Sequence, residues 1–281
     1  VPAAERLPPR RAELSTPVRP GDDGAVELLT RGTLDVQGRL VDASNATLFC
    51  GIEHNGVQAQ CVYKPIRGER PLWDFPDGTL AGREVATYLV SEAAGFGLVP
   101  PTILRPGPFG EGMVQLWVDT EPEADLVDLL PPAEVPPGWK EVLRAHDRYG
   151  DPAALAHADH PRMRLLAALD VVVNNADRKG GHVLHEVGGA VYGVDHGICL
   201  NAEDKLRTVL WGWLGEPLGD AAVDGLRRLL AGLGGEFGES LHEHLTITEV
   251  RMLAERTEKL LGAGVFPAPG GDWPPIPWPA F

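Results

Sequence analysis

The stretch Ala176-Asp177-Arg178-Lys179-Gly180-Gly181-His182-Val183-Leu184, followed by Val194-Asp195-His196-Gly197, decides the reading of this chain. It parses as a charged loop, a β-hairpin and a second acidic turn. Val183 to Val187 alternates and ends at Gly188-Gly189, a pair with no Cβ to forbid positive φ. Ala190 to Val194 returns, rich in β-branched and aromatic residues. Asp177 and Asp195 therefore sit at opposite ends of one hairpin and can approach each other in space. A carboxylate that orients a hydroxyl, beside a second that holds Mg²⁺ next to a nucleotide, is the constellation phosphoryl transfer needs.

Outward from that hairpin, size and composition set bounds. The chain has 281 residues, enough for one large domain or two lobes around a cleft, and its 43% hydrophobic content supports a real core. The net charge of −15 repels nucleic acid and anionic headgroups unless a local basic patch overrides it. No apolar run approaches the ~20 residues of a membrane span, and no signal peptide opens the chain. Cys50, Cys61 and Cys199 lie in apolar runs without metal spacing and read as buried, reduced thiols of a cytoplasmic protein. The acidic surface suits a protein or polar small molecule as partner, with no nucleic acid and no stable membrane insertion expected.

Four segments are expected. Residues 1–24 form a Pro/Arg-rich arm, 25–118 an antiparallel sheet with one helix, 119–262 a mainly helical lobe, and 263–281 a Pro/Trp-rich tail. Strands are expected at Arg39 to Asp42, Thr47 to Glu53 and Val57 to Lys64, the last two joined at His54-Asn55-Gly56. Ala81 to Ala94 has helical spacing and stops at Gly95. Thr102 to Arg105 and Met113 to Val118 read as two more strands. Trp139 to Tyr149, His160 to Asn174, Asp220 to Leu233 and Thr246 to Leu261 read as helices. Asp159 is a plausible N-cap for the second of these, and Thr246 with Glu249 has capping-box spacing. His146, His157 and His160, with Asp147, Asp151 and Asp159 nearby, read as helix ends and solvated loops rather than a second metal site. Trp211 and Trp213 straddle Gly212 and look like core anchors. The tail Trp273-Pro274-Pro275-Ile276-Pro277-Trp278 is read as packing along its own domain, with a polyproline ligand as the other possibility.

Lys64 ends a predicted strand in Cys61-Val62-Tyr63-Lys64-Pro65, and Glu84 lies in the first turn of a predicted helix in Gly82-Arg83-Glu84-Val85-Ala86. Taken alone, these are an exposed strand end and an ordinary helix N-terminal acid. Taken with the downstream loop, they match the lysine that kinases hold on the α- and β-phosphates with a helix glutamate. In kinase catalytic loops the base aspartate precedes a metal-binding asparagine by five residues, the step from Asp177 to His182. Asp195-His196-Gly197 has the shape of the Asp-Phe-Gly turn.

This order of motifs resembles the phosphatidylinositol 3/4-kinase-like branch of the protein-kinase superfamily. Val62-Tyr63-Lys64-Pro65 and Arg83-Glu84-Val85-Ala86 are similar to its lipid-kinase members and to the HipA-type kinases. Val172 to His182 is most similar to an actinobacterial group of that kind. The resemblance covers about residues 35 to 260 and implies an α+β bilobal kinase fold with ATP and Mg²⁺ or Mn²⁺ in the cleft. It implies Asp177 and Lys179 as catalytic residues, Asp195 and His182 as metal ligands, and Lys64 with Glu84 at the phosphates. The loop Asp42-Ala43-Ser44-Asn45-Ala46 would cradle phosphate through Ser44 and Asn45. Gln115-Leu116-Trp117-Val118 would supply backbone groups to the adenine edge, with Trp117 a stacked wall or core filler.

Three departures accompany the resemblance. His182 stands where kinases carry asparagine, and imidazole suits softer ions than Mg²⁺. The phosphate loop has no glycine. Ile198 to Pro217 lacks the long basic loop that lipid kinases use on anionic headgroups, with Lys205 and Arg207 its only basic residues. A regulatory pseudokinase and an AMP-transferring enzyme on the same fold are the alternatives.

Overall fold

The computed structural model describes residues 18–40, 45–121, 125–146, 149–270 and 273–281. The arm up to residue 17, and Ser44 with most of its loop, lie outside them. The chain divides into two compact units, one of residues 1–72 and 100–118, the other of residues 73–99 and 119–281.

The first unit is an antiparallel sheet. Its strands are β1 (Thr33–Arg39), β2 (Leu48–His54), β3 (Val57–Pro65), β4 (Thr102–Gly107) and β5 (Gly110–Leu116), in the order β1-β2-β3-β5-β4. Asn55 and Gly56, both at positive φ, make the β2–β3 turn that the Asn-Gly pair predicts. Period-two alternation buries Ala59, Cys61 and Tyr63 of β3 on one face, beneath helix α1 (Ala25–Arg31). Gly32 turns to extended backbone at the end of α1, and a Cβ there would overlap the Ile52 side chain. Cys50 and Cys61 face each other across β2 and β3 as buried free thiols, and Cys199 of the second unit is likewise buried and free.

The second unit is mainly helical. It contains α2 (Leu80–Ala93), α3 (Pro161–Val172), α4 (Asp220–Leu233), α5 (Glu236–Leu241) and α6 (Ile247–Ala263). The expected capping box is present, with Thr246 Oγ1 and the Glu249 side chain each bonding the other's backbone. The N-cap of α3 is His160, whose ring accepts the Arg162 N–H; Asp159 instead accepts the Trp213 Nε1–H at 2.8 Å.

Two expectations change here. The helix α2, grouped by sequence with the first sheet, belongs to the second unit. One face carries both kinds of contact: Arg83 donates to Cys199 O and to the Glu249 carboxylate at 2.6 Å, while Val90, seven residues on, and Ala94 at the C-cap enter the helical core. Trp139 to Tyr149 is not a helix. Trp139–His146 is strand β7, paired with β8 (Pro152–Ala158), which also pairs with β6 (Val127–Leu130). Charges at helical spacing misled the reading; Gly138 and Gly150, both at positive φ, bracket the segment, and a bulge between Glu141 and Leu143 breaks its alternation.

That extra sheet buries His157 rather than leaving it in a solvated loop. Its Nε2 accepts the Gly212 N–H at 3.1 Å and its Nδ1 donates to Ala158 O at 3.0 Å. Gly212 is required there, because a Cβ would overlap the imidazole. Trp213 is fully buried beside that ring, as its anchor role predicts.

Candidate functional site

The hairpin that opened the sequence reading is β9 (Val183–His185) and β10 (Val191–Gly193), turned by Gly188 and Gly189 at positive φ. The loop before it and the turn after it are locked together by Arg178. This side chain is fully buried and grips the carboxylate of Asp170 on α3 through Nε and Nη2, at 2.9–3.2 Å. Its Nη1 donates to His182 O and Val194 O, one at each end of the hairpin. Its Nη2 also lies 2.6 Å from His196 Nε2. A guanidinium only donates, so His196 must accept on Nε2 and carry its proton on Nδ1. Gly193 lies against the guanidinium, where any side chain would crowd it.

Asp177 is positioned from both sides. Asn175 Oδ1 accepts its backbone N–H at 3.0 Å, while Asn175 Nδ2 donates to Asp170 at 2.9 Å. The Asp177 carboxylate lies 3.4 Å from Lys179 Nζ. Burial pushes this carboxyl above the usual aspartate range, Lys179 draws it back, and the charge of Asp195 raises it again. The two aspartates are therefore close enough to feel each other, as the hairpin predicts.

Asp195 sits in the left-handed region at φ 62°, which costs an L-residue on the order of 1 kcal/mol. The flanking bonds hold it there: Val194 N donates to His182 O, and His196 N donates to the buried Glu84 carboxylate at 3.1 Å. Asp195 Oδ2 lies 3.3 Å from His182 Nε2. Two adjacent ligands of an octahedral ion at ~2.1 Å stand about 3 Å apart, so this pair fits two positions of a small divalent cation. Among the described residues no group of three or more His, Cys, Asp or Glu side chains is placed to hold a metal. A pair suits an ion whose remaining ligands are phosphates and water.

The other predicted residues are placed as follows. Lys64 is on β3 and Asn45 precedes β2, both in the first unit. The Asn45 amide oxygen accepts the Arg70 N–H, anchoring the loop to the segment after β3. Leu116 N and Trp117 N donate to Pro101 O and Gln60 O, and the Gln115 side chain donates to Thr102 Oγ1. Neither of those two backbone N–H groups is open to an adenine edge. The Trp117 ring meets Phe49 edge to face at 4.9 Å. Sequence reasoning missed Asp170, Asn175 and the inward role of Arg178, which it treated as part of a charged turn. The signal available was Asp170, eight residues before Arg178 on the buried face of a helix.

Two solved kinase structures show a loose likeness. The golgi casein kinase matches at TM-score 0.44 and 13% identity, over 86% of this chain and 74% of that one. The Helicobacter pylori proinflammatory kinase CtkA matches at TM-score 0.45 and 10% identity, over 85% of this chain and 94% of that one. Likeness of this degree carries no function. No protein-family model matches the chain. Protein Rv2133c of Mycobacterium tuberculosis is 51% identical over 269 residues, spanning 92% of this chain and 96% of that protein. At that identity and coverage, this chain belongs to the family of Rv2133c.

Proposed function

We propose that the protein is an ATP-dependent phosphotransferase of the atypical-kinase kind, moving the γ-phosphoryl of ATP to a hydroxyl of a protein or polar small molecule. The observation that carries this reading is the convergence, through buried Arg178, of a loop bearing Asp177 and Lys179 with a turn bearing Asp195. Asp177 orients the acceptor hydroxyl and takes its proton; a carboxyl raised by burial is a better base than an ordinary aspartate. Lys179 neutralises charge on the phosphoryl group in transit. Lys64 is assigned to the phosphates on the motif order alone. Within the second unit, Glu84 fixes the Asp195 turn by accepting the His196 N–H. His182 and Asp195 would hold the divalent ion, which when bound offsets negative charge on the phosphates. The net charge of −15 favours a polar or protein acceptor over an inositol lipid. The finer assignment to the phosphatidylinositol 3/4-kinase-like branch rests on the motif order alone.

Mass spectrometry after incubation with ATP and Mg²⁺ or Mn²⁺, with and without candidate acceptors, tests the proposal. A gain of one phosphoryl supports it. Transfer of AMP moves the chain to the adenylylating alternative. Nucleotide binding without any transfer identifies a pseudokinase.

A further inference from the structure

The sequence of Trp273–Trp278 suggests packing along its own domain, with a polyproline ligand as the other possibility. The placement of Trp273–Phe281 is more specific. Pro275 O accepts the Thr208 N–H at 3.0 Å and the Trp211 Nε1–H at 2.9 Å. Arg207 donates to Pro274 O and Ile276 O. Pro277 is buried, and Ile276 and Ala280 pack against the helical core. At its far end, Ala280 O accepts the Gly180 N–H at 2.8 Å, and the Phe281 ring lies so close on Gly180 that a Cβ there would overlap it.

The chemistry of the segment suits this role. Its four prolines have no N–H and favour an extended conformation, so its carbonyls face outward without pairing among themselves. A segment already extended loses little freedom on docking. The loop it meets contains Gly180-Gly181, the two residues least able to hold a conformation alone. Lys179 directly precedes them and Asp177 lies two residues further back. Arg207, which grips the segment, also acts on the Asp177 carboxylate. Trp278 is 88% exposed and takes no part.

We infer that Trp273–Phe281 braces the loop Asp177–His182, and that Phe281 is a positioning residue for Asp177 and Lys179. The brace itself stands on contacts within the second unit; its kinetic consequence rests on the proposed phosphotransfer.

The test uses the full chain as wild type, Phe281→Ala, Phe281→Leu, Trp278→Ala and Gly180→Ala. Amide hydrogen exchange at residues 180–182 should speed up by roughly tenfold or more in Phe281→Ala, revert largely in Phe281→Leu and stay unchanged in Trp278→Ala. The Asp177 carboxyl, followed by carbon NMR, should titrate closer to the ordinary aspartate range in Phe281→Ala as the loosened loop admits water. Turnover should fall about tenfold with nucleotide KM unchanged, and Gly180→Ala, which pushes the ring away from the loop side, should do the same. Unchanged exchange in Phe281→Ala, or equal effects from Trp278→Ala, overturns the inference. Faster exchange in a protein whose wild type transfers nothing leaves the brace standing and removes the phosphotransfer reading instead.

Discussion

Arg178→Met should be the most damaging single change in the second unit that leaves the proposed reacting groups in place. Methionine fills the volume but removes both arms of the bond to Asp170, the bonds to His182 O and Val194 O, and the partner of His196 Nε2. Asp170 keeps only the weaker donors Asn175 Nδ2 and Thr208 Oγ1, in a site with no exposure to water. Breaking a buried pair from one side costs about 3–5 kcal/mol. For a chain of this size that is a fall in melting temperature on the order of 10 °C. Thermal and urea unfolding, followed by tryptophan fluorescence through buried Trp213, measures it. Asp170→Asn combined with Arg178→Met should cost clearly less than the two singles added, because the second change removes the charge the first leaves stranded. A melting shift under about 3 °C, or strict additivity, would refute the view of Arg178 as the tie between loop and turn.

Asp177→Asn should keep nucleotide affinity while turnover falls at least ~10²-fold; transfer at the wild-type rate would make Asp177 a turn residue only. The same variant should melt higher at neutral pH. Burial raises the folded-state pKa of Asp177, so the folded chain holds the proton longer than the unfolded one. Stability is then lost as pH rises from the ordinary aspartate range through the raised value. The gap between wild type and Asp177→Asn should close in acid below that range; a gap independent of pH would contradict the assignment. Asp195→Ala should abolish metal-dependent ATP binding in calorimetry, whereas unchanged affinity and stoichiometry would take Asp195 out of the site. His182→Asn should move a preference for Mn²⁺ toward Mg²⁺, and identical metal series for both proteins would leave His182 a brace for Asp195 rather than a ligand.

Strands β2 to β5, the hairpin β9–β10 and the capped helix α6 were legible because each is written locally: alternation bounded by Asn-Gly or Gly-Gly, and Thr-x-x-Glu before an apolar stripe; the first strand was not, being expected at Arg39 to Asp42 and lying at Thr33–Arg39. The hairpin made it legible that Asp177 and Asp195 approach each other; the contacts of Asp177 with Lys179 and of His182 with Asp195 came from the structure. What stayed hidden depends on partners distant in sequence. Glu84 reaches the backbone of His196, 112 residues away, and no local pattern encodes that. Arg178 looked solvated because two basic residues in a glycine-rich loop usually are. Only the buried carboxylate on α3 shows that Arg178 turns inward and Lys179 does not. Trp139–His146 failed for a related reason. Its polar, widely charged sequence suits a half-exposed edge strand, and the alanine-rich β8 that it covers gives little sign of being its partner.

His157 gives the molecule a floor of acid tolerance. Burial lowers its pKa to about 4 from an ordinary 6.5. With Nδ1 donating and Nε2 accepting, the ring is neutral, and a second proton would set two N–H groups against each other at Gly212. Between pH 6.5 and about 4 the unfolded chain takes up a proton that the folded chain refuses, so stability drains by about 3 kcal/mol as the medium acidifies across that interval. The seam between β8 and the Trp211–Trp213 turn is where acidification should first open the protein.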